Sequence, residues 1–278
     1  MSGVGDLKMF IDGKWVDSDG GAAFEATSPA TGEVIGTVPE GTRGDAQRAI
    51  AAANAAWGDW AARSAFDRAA AMRRVARVIE ERRDDLARTL TLDQGKPLRA
   101  EAFDEVDELV SYYEMAAEDA TRLDGLMPHS VDADKRVFVY RVPRGVVGVI
   151  TPWNWPYTMP AEIVAPALAA GNAVVWVPAP TTSVCAVKLA ECMVEADLPA
   201  GLFNLVTGPG PVIMLKTPAG SPASTMHSAS ATAHIDVDGA GTQTTALPDA
   251  SAGASSSAGI VYGQFHGVIR PTTPRGTR

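Results

Sequence analysis

Positive charge is in short supply in this sequence of 278 residues, where 24 Lys and Arg face 33 Asp and Glu and leave a formal net charge of -9. A chain of that sign lacks the footprint for nucleic acid or an anionic membrane surface, and no basic cluster offsets it. Cysteine is rarer still, Cys185 and Cys192 being the 2 in the chain. Their spacing sets them on one face of a helical pattern, two turns apart, which suits neither a disulfide within the helix nor a metal knuckle. They read as buried thiols that pack as small hydrophobes. Of the 4 histidines, His227, His234 and His266 are scattered through low-complexity sequence and read as solvated, so no metal site is expected. Long apolar runs are missing too, Val174 to Val177 being far too short to span a bilayer. Met1 to Asp6 is short and polar rather than a charged-then-apolar leader, which with the low cysteine content points to the cytoplasm.

What is present is ordinary globular composition, 46% hydrophobic and 21% charged, enough for one large domain or two smaller ones. Met9-Phe10-Ile11, Asp12-Gly13 and Trp15-Val16 form a hairpin signal, because Asp-Gly supplies the positive φ of a two-residue turn. A second turn at Ser28 to Gly32 leads into a short strand, Glu33 to Val38, and these pieces are expected on the edge of a larger body. From Asp45 the chain turns helical, first with Ile50 and Trp57 on one face. A capping arrangement of Ser64 with Asp67 then opens a stripe of Met72, Val75, Ile79, Leu86 and Leu90, with Arg73, Arg74, Glu80 and Arg83 facing water. After Asp93-Gln94-Gly95-Lys96-Pro97 a third helix carries Phe103, Val106, Val110, Tyr113 and Ala117. Its acidic side, Glu101, Asp104, Glu105, Asp107 and Glu108, offers paired carboxylates only as any acidic helix does, and without an accompanying histidine no metal is expected there.

Arg136 to Val142 alternates in the period of a strand, and Pro143-Arg144-Gly145 turns it into the apolar run Val146 to Ile150. A helix from Thr158 to Ala170 with an interior Pro166 follows, then the apolar strand Ala173 to Val177, a helix from Thr182 to Glu195, and a strand from Leu202 to Val206. Strand, helix, strand, helix, strand is a parallel α/β unit with right-handed crossovers. Between its first strand and helix lies Thr151-Pro152-Trp153-Asn154-Trp155-Pro156, and in such sheets ligands bind in the loops at the carboxyl ends of the strands. An asparagine fixed between two tryptophans and two prolines presents an NH2 donor without reorganising, which a developing oxyanion requires. The other reading is an Asn154 that bonds its own backbone and holds the turn.

Three dense motifs in order, Arg141-Val-Pro-Arg-Gly-Val-Val-Gly-Val-Ile-Thr-Pro-Trp-Asn-Trp-Pro156, Ala165-Pro-Ala-Leu-Ala-Ala-Gly-Asn172 and Leu198-Pro-Ala-Gly-Leu-Phe-Asn-Leu-Val-Thr-Gly-Pro-Gly210, resemble the NAD(P)-dependent aldehyde dehydrogenases. The likeness runs from residue 7 to about 212 and includes Thr91 to Pro97. It implies an α/β fold with a Rossmann-type parallel sheet, incomplete here, an N-terminal helical layer and an irregular C-terminal tail. It also implies an oxidation in which a cysteine thiolate attacks an aldehyde, hydride passes to the nicotinamide, and a glutamate activates water to release the acid. Asn154 would supply an oxyanion-hole donor. Ile150, Thr151, Pro152 and Trp153 would line the cofactor cleft, with Pro178 and Gly208, Pro209 and Gly210 near the adenosine end. The same resemblance divides the chain into 7–134 and 146–212, parts of a cofactor-binding domain, and 135–145, an arm whose residues Arg136 to Val142 would join subunits or full-length relatives.

The sequence departs from the family at two places. Where the strand before Pro178 usually ends in lysine it has Val177, which neither bonds a ribose hydroxyl nor neutralises a 2'-phosphate, so NAD is favoured over NADP. Beyond Pro211 the pattern stops, and residues 213–278 hold neither cysteine nor glutamate. Ala, Gly, Ser, Thr and Pro dominate that tail, a composition that buries too little surface to offset ordering entropy. It reads as out-of-frame sequence or as a degraded in-frame segment. The nucleophile and base of the family are missing, the cofactor is expected to bind weakly, the chain is expected to be inactive, and the sheet is expected to expose an edge.

Overall fold

A computed structural model describes residues 4–209 and the short strand at 224–227. Two sheets are present. The smaller joins β1 (Gly5–Asp6), β4 (Ala23–Thr27) and β5 (Val34–Pro39) in the order β1-β5-β4, and the larger has the order β3-β2-β8-β7-β6-β9. In the larger sheet β2 (Met9–Ile11) and β3 (Lys14–Val16) form the expected hairpin, with Asp12 and Gly13 both at positive φ. The hairpin adds antiparallel to β8 (Phe203–Leu205), as expected of an edge piece. The turn is held from a distance, since the Asp12 N–H donates to Asn204 Oδ1 at 3.0 Å. Strand β4 has no counterpart in the sequence reading, because its burial alternates weakly and a bulge interrupts its pairing at Ala26 and Thr27.

Helix α1 (Arg43–Ala61) opens with a reciprocal capping box between Thr42 and Asp45. Its buried face is Ala46, Ala49, Ala53 and Trp60, whereas Ile50 and Trp57 are only half-buried. The alanines allow close approach to the large sheet, and Trp60 Nε1 donates to the Leu168 carbonyl at 2.8 Å. The stripe Met72 to Leu90 is buried as expected, but two helices carry it, α2 (Ala65–Glu81) and α3 (Arg83–Gln94). The break falls at Arg82, whose guanidinium pairs with Asp85, Glu191 and Glu195. Of the charges placed in water, Arg74 instead donates to the Ala196 carbonyl and Arg83 pairs with Asp107. Gly95 ends α3 in the left-handed conformation. A single π-turn, Leu98–Ala102, then leads into α4 (Phe103–Ala120).

The parallel unit is β6 (Val146–Ile150), α5 (Thr158–Ala169), β7 (Ala173–Val177), α6 (Ser183–Glu195) and β8, with β6, β7 and β8 adjacent and parallel. All of β7 is buried, which is why it reads as an unbroken apolar run. Two expectations need correction. Arg136 to Val142 is not a strand: among the described residues it makes one antiparallel bridge, Leu126 with Val139, because pairing needs a neighbour along its whole length. The edge of β6 is not bare, since β9 (Ser224–His227) pairs with it in parallel register, Val147 against Ser224 through Ile150 against His227. Gly210 and the rest of the tail lie outside the described residues.

Asn172 sets the start of the parallel unit: its Oδ1 accepts from the Arg144 and Gly145 N–H groups, and its Nδ2 donates to the Ala167 carbonyl. Asn172→Ala should cost about 2–3 kcal/mol through the buried donor it strands, read as a lower urea midpoint at unchanged slope.

Candidate functional site

Parallel neighbours end on the same side of a sheet, so the loops after β6, β7 and β8 meet along one edge. That edge brings together Ile150 to Trp153, Pro178, Gly208 and Pro209. Thr151 is tied into it twice, its N–H donating to the Val177 carbonyl at 3.3 Å and its Oγ1 accepting from Trp176 Nε1 at 3.0 Å. Pro178 and Gly208 are buried, Ile150 and Pro152 half-buried, and Trp153 is 57% exposed. Gly208 sits at φ +124, where a Cβ would lie 2.8 Å from the Gly41 nitrogen.

Asn154 is exposed, and its side-chain amide makes no hydrogen bond among the described residues. It therefore does not hold the turn through its own backbone. The loop is held from outside. Gln94 Nε2 reaches the Asn154 carbonyl at 3.5 Å, leaving Gln94 Oε1 buried without a partner among the described residues. The first helical turn beyond the loop has no side-chain cap of its own. Its orphan donors go instead to Glu105 of α4, whose Oε1 accepts from the Tyr157 N–H at 2.9 Å and the Thr158 N–H at 3.3 Å.

Glu105 is fully buried, and its Oε2 lies 2.6 Å from Lys96 Nζ, itself buried. A buried carboxylate is tolerable only with such a partner and with its remaining lone pairs satisfied. Lys96 Nζ also sits 3.4 Å from the centre of the Trp155 ring, a contact worth up to about 2 kcal/mol when desolvated. The sequence places Glu105 on the acidic side of α4, whereas it is buried. The overlooked signal is that Glu105 falls in line with Ala102, Leu109 and Tyr113 at helical spacing, and all four are buried.

A similar arrangement serves the second crossover helix. Asp93, at the end of α3, accepts from the Cys185 N–H at 2.9 Å in the first turn of α6. Burial pushes the Asp93 carboxyl up from its ordinary 3.8 to about 6, against the Cys185 and Val184 donors that pull it down. Burial also raises the thiol of Cys185, with the Asp93 charge adding to it, and pushes Cys192 up to about 12. Both cysteines are fully buried, so each is chemically the reverse of an activated nucleophile.

Carboxylates thus occupy the N-termini of both α5 and α6, where helices otherwise offer N–H groups and a positive dipole end to phosphate. Ile150, Pro152 and Pro178 line the same edge as apolar, partly or fully buried groups. Among the described residues no group of three or more His, Cys, Asp or Glu is arranged to hold a metal ion. Nor is any described helix long and apolar enough to cross a membrane.

Comparison with known proteins follows this geometry. The profile of the aldehyde dehydrogenase family matches residues 15–218. Glutarate-semialdehyde dehydrogenase of Pseudomonas putida is 44% identical over 199 residues, covering 72% of this chain and 41% of the relative. The NADP(+) succinate-semialdehyde dehydrogenase of Escherichia coli is 43% identical over 198 residues, covering 71% and 41%. Betaine aldehyde dehydrogenase from Staphylococcus aureus, solved in complex with NAD+, superposes with a TM-score of 0.72 at 37% identity, covering 74% of this chain and 41% of that one. The chain spans about two-fifths of the length of the relatives it matches.

Two measurements follow from the buried groups. The folded state keeps the Asp93 proton at pH values where the unfolded chain has released it. The resulting stability is whole below about pH 4 and is lost as pH rises through about 6. Asp93→Asn should flatten that fall, about 2–3 kcal/mol, in urea unfolding measured across the interval. A thiol-disulfide reagent should modify neither cysteine in the native chain and both after denaturation; native labelling would contradict their placement.

Proposed function

The chain belongs to the aldehyde dehydrogenase family, and from that premise we propose that it derives from an NAD(P)-dependent oxidation of an aldehyde to a carboxylic acid and does not itself turn over. The observation that carries this reading is the exposed Asn154 amide, unbonded among the described residues, on a loop beside the carboxyl end of β6 whose backbone carbonyl is reached by Gln94 Nε2. In that position its Nδ2 would donate to an oxygen gaining negative charge, a contribution whose loss typically costs roughly a hundredfold to a thousandfold in rate. The role that the chain leaves unfilled is the thiolate. Its cysteines are both interior and raised, and no other cysteine exists in the sequence.

The cofactor of the family is NAD or NADP, and a bound nicotinamide would supply the hydride acceptor. In this chain Ile150, Thr151, Pro152, Trp153 and Pro178 would form its apolar contacts, with Gly208 and Pro209 toward the adenosine. Val177 favours NAD, although the name of the Escherichia coli relative carries NADP(+). With Asp93 and Glu105 already seated at the two helix N-termini, affinity should be weak for both.

A second reading, a non-catalytic subunit that joins intact relatives, is favoured by the apolar exposure of Phe138, Tyr140 and Val142 on the arm. The two buried, unpaired thiols fit a cytoplasmic location. Purified chain given an aldehyde with either nucleotide should yield no reduced nucleotide above background, and calorimetry should show no micromolar binding. Turnover would overturn the inactivity, and co-purification with a full-length relative would favour the subunit reading.

A further inference from the structure

We propose that the Lys96–Glu105 pair is a positioning device for the Trp153-Asn154-Trp155 loop, setting where the Asn154 amide points rather than merely stabilising the fold. That it bears on an oxyanion rests on the reading above; that it sets the loop does not.

The loop has little of its own to fix it. Neither its asparagine side chain nor a cap residue bonds the turn, and Tyr157, at the N-cap, makes no side-chain cap bond. The fixing groups come from the helical layer and grip the loop at both ends of the tripeptide's exit. Glu105 Oε1 takes the Tyr157 and Thr158 N–H groups, which sets the first turn of α5, and the Met159 N–H then bonds the Trp155 carbonyl at 3.0 Å. Lys96 Nζ, held by Glu105 Oε2 at 2.6 Å, lies over the Trp155 ring at 3.4 Å and so sets that ring's plane. Asn154 is bracketed between a fixed ring and a carbonyl bonded by Gln94.

The backbone between the two charged residues suits this task. Lys96 follows the left-handed Gly95, and the π-turn Leu98–Ala102 places the Glu101 and Ala102 N–H groups on the same Pro97 carbonyl. Within α4, Glu105 lies on the buried line with Ala102 and Leu109, while its neighbours Asp104 and Glu108 are exposed. A buried ion pair is often no more stabilising than apolar residues of equal volume, so stability alone does not account for placing one here. Directional bonds to two backbone N–H groups and one ring do.

The test is 19F NMR of the whole chain labelled with fluorotryptophan, alongside amide spectra, in the wild type and in Glu105→Gln and Lys96→Met. Glu105→Gln keeps the shape and an acceptor; Lys96→Met keeps the length and removes the charge. In both, the Trp153 and Trp155 resonances and the Asn154 side-chain amide should shift or broaden, while buried Trp60 and Trp176 stay in place and report an intact fold. The double variant should add little to either single one, because both break the same contact. Lys96→Arg should restore the Trp155 resonance part of the way. Unmoved Trp155 and Asn154 signals in variants whose Trp60 and Trp176 are unchanged would overturn the proposal. Should the variants fail to fold, the wild type decides, since absent contacts between the Lys96 methylenes and the Trp155 ring in its spectra would overturn it equally. No cofactor or aldehyde enters these readouts, so this inference and the functional reading fail independently.

Discussion

Helices that cross between parallel strands begin at the carboxyl edge of the sheet, and their first N–H groups need acceptors there. Everything at this protein's candidate site depends on how that need is met. The β6–α5–β7–α6–β8 unit brings two helix N-termini to one edge, and α3 and α4 each send a carboxylate to one of them, Asp93 to α6 and Glu105 to α5. The helical layer is therefore more than a cover for the sheet. It supplies acceptors to the helix N-termini at that edge.

The two carboxylates meet burial differently. Glu105 carries a lysine at 2.6 Å, which is in turn shared with an aromatic face. Asp93 has only N–H and thiol donors, and burial pushes it up to about 6. One carboxylate is held by an ion pair as well as N–H groups, and the other by N–H and thiol donors without a counter-charge. A buried carboxylate without a counter-charge is pushed toward its protonated form, which is the direction Asp93 shows.

Much of this was legible beforehand. Strands β6, β7 and β8, both crossover helices and the Asp12-Gly13 hairpin follow from apolar period and turn chemistry, and the Asn154 loop follows from where a strand ends. What escaped reading depends on neighbours distant in sequence. Glu105 sits in an acidic run whose charge masks its place on the buried line of Ala102, Leu109 and Tyr113. Alanine faces such as that of α1 carry weak apolar signals, so Ile50 and Trp57 drew attention that belongs to Ala46, Ala49 and Ala53. Arg136 to Val142 has the alternation of a strand, but alternation specifies faces and not a partner, and among the described residues the segment pairs at a single residue. The family match over residues 15–218 agrees with the extent of the motifs and ends near where their pattern does.

The parallel pairing of Ser224–His227 with Val147–Ile150 is a transaction between main chains. Ladder bonds are made by amide and carbonyl groups that every residue except proline carries in full, so the outer lane of this sheet reads extension and not identity. A sheet edge of that kind is a permissive template. Its occupant can change in sequence without the rest of the open sheet being redesigned, so long as it stays extended and keeps its N–H groups.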